Sequence, residues 1–175
     1  MKKIFCIAMP AILLLAFAAC GTAPIMKDTL TGTPEEVLTQ VMEASRADLA
    51  MTIGSDITAK SAQRALGLTG TQFIEFVDCA YEAAPVLTTI AQGNAIVKCK
   101  SAVAAVKVKN LIATGYDCDQ WAGAVPEKAV VVESGSYVLL AVGATEATDA
   151  FVRAFKSVSG GNTGEPDLFF PGIMN

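Results

Sequence analysis

The chain has 175 residues, with thirteen basic and seventeen acidic side chains, no histidine, and a formal net charge of −4. That length suits one domain with a real core, and the acidic balance argues against a nucleic-acid partner, which needs a basic surface. The missing histidine removes His-based metal sites, Ser-His-Asp hydrolysis and Cys-His catalysis; with no Walker loop or dinucleotide glycine fingerprint either, no cofactor is expected and the chain reads as a non-enzyme.

Lys2 and Lys3 precede an apolar run, Ile4 to Ala19, which ends in Ala18-Ala19 before Cys20. A positive start, a short apolar stretch and small residues form a secretory signal. The run is interrupted by Pro10 and falls short of the ~20 residues a spanning helix needs. Ala19-Cys20 resembles the end of a bacterial lipobox, although Phe17 stands where Leu is usual. That resemblance implies cleavage before Cys20, a diacylglyceryl thioether on its sulfur, and a location on the outer face of the cell membrane. Two acyl chains anchor stably where one holds only marginally. Ordinary cleavage after Ala16-Phe17-Ala18 is the alternative and would release a soluble protein; an uncleaved anchor is the other rival. Removing residues 1–19 leaves 156 residues with a net charge of −6, because Lys2 and Lys3 depart and no acid does. That acidity gives no help in holding the domain to anionic lipid.

Residues 20–33 are small, polar and turn-rich and read as a flexible tether. Thr33, Pro34 and Glu36 have N-cap, first-position and capping-box placement. With Val37, Leu38, Val41, Met42 and Leu49 at helical spacing, they predict a helix over 34 to about 49. Residues 50–60 are mixed. Ser61–Leu66 suits a short helix, 73–81 and 86–91 read as strands, and 95–114 is ambiguous, with alternating Val-Lys pairs inside an alanine-rich stretch; helix is the choice made. Residues 128–133 and 137–142 around Ser134-Gly135-Ser136 form the clearest hairpin, and a last helix over 145–158 follows from Ala147, Phe151, Ala154, Phe155 and Val158. The expectation is therefore a single α+β domain over 34–158. It has an N-terminal helix, two β-hairpin–helix units and an antiparallel sheet with helices packed on one face. A Gly-rich irregular tail occupies 159–175.

Pro126 to Val142, followed by an acidic turn and an alanine-rich helix, resembles a family of bacterial lipoproteins from Gram-positive anaerobes known only as a domain of unknown function. The shared marks are the signal, an early helix and a closing hairpin with Gly-x-Tyr at its turn, here Gly135-Ser136-Tyr137. The resemblance brings no activity and no site.

The candidate residues are few. Cys79, Cys99 and Cys118 remain once Cys6 has left with the signal and Cys20 is lipidated. They allow at most one disulfide and one spare thiol, or are small buried hydrophobes. Asp117, Asp119 and Glu127 around Trp121 offer oxygens to a hard cation but lack the alternation of a calcium loop, so no metal is expected. Lys98, Lys100, Lys107 and Lys109 form a local basic stretch that reads as a solvated helix face. Trp121, beside Tyr116, and the adjacent Phe169-Phe170 of the tail are the candidate partner contacts. The functional expectation is a lipid-anchored extracytoplasmic binding or scaffolding module with an envelope protein or polymer as partner. The alternatives are a thiol-active, redox-sensing surface protein and an accessory small-ligand-binding lipoprotein.

Overall fold

The computed structural model describes residues 26–87 and 89–170. The export segment, Cys20, residues 20–25 of the tether and the last five residues of the tail lie outside them. Helix α1 (Pro34–Ser45) opens on the predicted capping box, Thr33 Oγ1 accepting from Glu36 N at 3.2 Å and Glu36 Oε2 accepting from Thr33 N at 2.8 Å. It ends earlier than the apolar spacing suggested, because Arg46 turns left-handed at φ 50°. After it come β1 (Thr52–Asp56), α2 (Ala62–Leu66), α3 (Gly70–Phe76), β2 (Val77–Pro85), β3 (Gly93–Cys99), α4 (Ala102–Gly115), β4 (Lys128–Ser134), β5 (Tyr137–Gly143), α5 (Thr145–Val158) and β6 (Asp167–Phe170).

The strands form one antiparallel sheet in the order β1-β2-β3-β5-β4-β6, so the fold is α+β. The N-terminal helix and both hairpin–helix units, β2-β3-α4 and β4-β5-α5, are present. The helices, however, cover both faces and not one. Val138, Leu140 and Val142 of β5 join α2, α3 and α4 in one core, while Tyr137, Leu139 and Ala141 join α1 and α5 in the other. Strands β4 and β5 read as near-continuous apolar runs without polar alternation, as strands buried on both faces do. The two units are not rotational copies. A two-fold axis relating the antiparallel neighbours β3 and β5 would leave their helices on the same face, and α4 and α5 lie on opposite faces.

Four local expectations are corrected. Residues 73–81 are not one strand: Thr69 and Gln72 form a second capping box that starts α3, and the chain passes from Phe76 straight into β2. Among its described residues the strand expected over 86–91 is not formed; Val86 and Leu87 are exposed, and pairing resumes at Gly93. The ambiguous 95–114 segment is strand and then helix. Its alternating first part pairs in β3, and Ser101 Oγ accepts from Ala104 N at 3.1 Å to cap α4. Strand β1, unseen in the mixed 50–60 stretch, owes its existence to pairing with β2, Thr52 facing Pro85 and Asp56 facing Tyr81.

The ends of the domain are also more ordered than expected. From Lys27 the tether is docked. Asp28 Oδ1 accepts from Ser136 N in the β4–β5 turn, Thr29 Oγ1 donates to Ser159 O at 2.8 Å, Leu30 is buried, and Tyr137 Oη donates to Gly32 O at 2.7 Å. Gly135 carries positive φ (57°) at this turn, and a Cβ there would stand 2.2 Å from Asp28 Oδ1, so glycine is required twice over. The tail is not irregular throughout: Asp167–Phe170 pairs with β4 and closes that edge of the sheet.

Candidate functional site

The one tryptophan and the Arg64–Glu82 ion pair between α2 and β2 meet at one end of the sheet. There, β2 and β3 supply Glu82, Gln92, Gly93 and Asn94 around their connection. Helix α2 supplies Arg64, and the loop after α4 supplies Tyr116 and Trp121. Together they line a cleft of about 150 Å³. The loop is held there by backbone contact. Gly67, which ends α2 with φ 71°, lies against Gly115, and a Cβ on it would stand 2.3 Å from the Gly115 carbonyl carbon. A side chain at Gly67 would push Gly115, and Tyr116 with it, away from the sheet.

The chemistry of the cleft is polar at one wall and aromatic at the other. Arg64 Nη2 pairs with Glu82 Oε1, the arginine largely exposed and the glutamate buried. Ser55 Oγ, from the edge strand, donates to the same oxygen at 3.4 Å. Tyr116 and Trp121 have ring centroids 6.4 Å apart at 54°, and Phe169 of β6 meets the other side of Tyr116 edge-on at 6.0 Å and 75°. Burial pushes the Tyr116 hydroxyl well above its ordinary value, so it is a neutral donor at physiological pH. The cleft therefore offers a guanidinium, a carboxylate, amides, a neutral phenol and an indole face. That set suits recognition of a polar group beside a flat or apolar one.

The candidate residues separate here. Trp121 lines the cleft. Phe169 and Phe170 do not join it; they are half-buried against the core on the α4 face, so the tail packs back on its own domain. The thiols are not brought together into a disulfide: Cys79, Cys99 and Cys118 are all free, with only Cys79 exposed. Burial is the first cause raising each, Cys99 to about 12 and Cys118 to about 11. Raised thiols carry little thiolate at neutral pH and are poor nucleophiles. The acids are spent locally: Asp117 Oδ1 accepts from Asp119 N at 2.8 Å, and Glu127 Oε2 accepts from Thr145 N at 2.8 Å at the start of α5. Among the described residues, no group of three His, Cys, Asp or Glu side chains is arranged to hold a metal.

The lysines are not a solvated helix face either. Lys98 lies in β3 with its amine 5.4 Å from the Tyr137 ring centre, Lys107 stands 5.3 Å from that of Phe76, and Lys109 is buried. Arg64, Glu82, Gln92 and Asn94 were missed as site residues. The one local signal was Glu82, an acid set among Tyr81, Ala83 and Ala84.

Comparison with protein-family models, with curated proteins and with solved structures finds no match. No helix of the described residues is long and apolar enough to cross a membrane.

Proposed function

We propose that this chain is a lipid-tethered, extracytoplasmic binding module that engages an envelope partner or ligand through the cleft between Arg64 and Trp121. The observation that carries the binding reading is the convergence of four separate chain segments on that cleft, with a buried carboxylate, Glu82, held at its wall. Burying an ionised carboxylate is costly unless it is paired, and Arg64 is the partner that holds this one at the cleft wall. The tethering reading rests on Ala19-Cys20 at the end of an export-type segment. Membership of the lipoprotein family that residues 126–142 resemble belongs to the same proposal. The raised thiols favour binding over the thiol-active alternative, since that chemistry needs thiolate.

Two measurements test the reading. Cys20→Ala should abolish the acyl mass shift and release the protein from membranes; retention of the variant would mean another anchor. A photo-crosslinking residue at Gln120, on the cleft, should trap a discrete species in native membranes, and the same residue at exposed Glu43 of α1 should not. Equal trapping at both positions, or none at either, sinks the cleft as the partner site.

A further inference from the structure

Gln92 and Asn94 also line a second cleft, of about 240 Å³, on the α5 face of the same sheet end. Its walls are apolar, formed by Leu49, Ile90, Val142 and Phe151, and Thr148 of α5 looks onto it. Among the described residues, four buried side-chain nitrogen or oxygen atoms have no hydrogen-bond partner: Gln92 Nε2, Asn94 Nδ2, Thr148 Oγ1 and Glu133 Oε2. The last has Lys109 Nζ at 2.9 Å as an ion-pair partner. The other three belong to residues that line this one cleft.

Unpaired buried polar groups are rare in folded proteins and each costs stability, so three around one cavity call for a common cause. The residues are deeply buried, at 9 %, 4 % and 2 % exposure for Gln92, Asn94 and Thr148. Gln92 Oε1 accepts from Ala50 N at 3.2 Å, which fixes the free end of that amide as the N–H donor. A helical threonine ordinarily settles its hydroxyl on the carbonyl four residues back; Thr148 Oγ1 makes no such bond. Two amide donors and a hydroxyl therefore flank an apolar pocket with nothing in the protein to satisfy them.

We propose that this second cleft binds a small uncharged carbonyl compound with an apolar body. Its C=O would accept from the Asn94 amide and the Thr148 hydroxyl, beside the Gln92 amide, while its hydrocarbon part lies on Leu49, Ile90, Val142 and Phe151. Volume sets the size: a dry cavity of about 150 Å³ holds a benzene, so this one admits a ring with a few further atoms. Charge sets the class. Asp48 and Glu127 are the charged side chains of the lining and no basic one is present, so a carboxylate would be buried without a counter-charge. A cation would find amide donors, not acceptors, at the inner wall. This site shares Gln92 and Asn94 with the Arg64–Trp121 cleft, but Leu49, Ile90, Thr148 and Phe151 line it alone, so Thr148→Val separates the two.

The test is a titration of the full lipidated chain in nanodiscs, followed through the side-chain amide resonances of Gln92 and Asn94, with empty nanodiscs correcting for partition. The probes are acetophenone, toluene and benzoate. Acetophenone should saturate and shift both amides, with toluene and benzoate binding at least tenfold more weakly. Asn94→Leu and the near-isosteric Thr148→Val should each weaken acetophenone several-fold; if the first misfolds, the second carries the comparison. Toluene binding as tightly as acetophenone, no saturable probe, or wild-type affinity in both variants would overturn the proposal.

Discussion

Lys109 Nζ, on α4, lies 2.9 Å from Glu133 Oε2, on β4, with both side chains about nine-tenths buried. The same amine reaches Asp167 Oδ2 at 3.3 Å and the Glu165 carbonyl at 3.3 Å, so one cation ties a helix, a central strand and the C-terminal strand together. Burial by itself would lower the Lys109 amine; the Glu133 carboxylate, and then Asp167, more than offset that and hold it above its ordinary value of 10.5.

Removing the cation while leaving Glu133 buried should cost about 3–5 kcal/mol, the usual penalty for breaking one side of a buried pair. Lys109→Met is therefore expected to lower the urea midpoint sharply, and Lys109→Met with Glu133→Leu to recover most of the loss. A single-variant loss under about 1 kcal/mol would show the pair to be effectively hydrated, in the range of exposed pairs.

Alkaline pH should unfold this domain through groups whose folded values are raised. Cys99 goes from 9.0 to about 12, chiefly by burial, so the folded state keeps a proton that the unfolded chain gives up. Its contribution is complete below pH 9.0 and is lost as pH rises toward 12, at up to about 1.4 kcal/mol per pH unit. Lys109, held above its ordinary value, adds to the loss as pH rises past 10.5. Stability measured from pH 8 to 11.5 should fall steeply, and Cys99→Val should flatten the curve; an unchanged slope would clear Cys99.

Thiol labelling gives a separate reading of the same burial. At pH 8 an alkylating reagent should modify Cys79 alone among the three domain cysteines, and all three only in denaturant. Rapid labelling of Cys118 in the folded protein would revive the thiol-active alternative.

The C-terminal strand protects an edge. Deleting residues 167–175 should strip β6 from β4 and expose the Ala129–Val131 run as an unpaired edge, the kind of surface that templates aggregation. The deletion should lower the melting temperature and produce concentration-dependent association by light scattering. Phe169→Ala, which removes the edge contact to Tyr116, should cost about 1–2 kcal/mol without association, since β6 would still pair.

The N-terminal arm is expected to be held by two hydrogen bonds to one turn. Asp28→Ala leaves the Ser136 amide without its partner, at a cost of about 1–3 kcal/mol, and Tyr137→Phe frees the Gly32 carbonyl for about 1 kcal/mol. Hydrogen exchange at Ser136 should speed up in the first variant. Unchanged exchange there would mean the arm contributes nothing to the closing hairpin.

What could be read early follows from the range of each signal. Thr33-Pro34 with Glu36, the Gly135-Ser136 turn and the Ala147–Val158 spacing act over a few residues; α1 starts, and the hairpin and α5 form, where the pattern put them, while α1 stops at Ser45, short of the expected end. The second capping box, Thr69 with Gln72, was equally local; the aromatic and β-branched residues that follow it masked it. In the cleft, Trp121 stood out as a lone indole. Gln92 and Asn94 are ordinary turn residues until α5 and the 46–51 segment close over them.

The sequence by itself determined the absence of histidine, and the starts of helices and the hairpin whose caps and turns are written within four or five residues. Only the tertiary structure decided that both sheet faces are covered, that residues 28–32 and 167–170 are part of the domain, and that Lys109 is buried. The same holds for the three unpaired groups around one cavity. Those facts rest on contacts between residues as far apart as Asp28 and Ser136 or Lys109 and Asp167. Burial and hydrogen-bond satisfaction depend on what the rest of the chain brings alongside, which no local pattern carries.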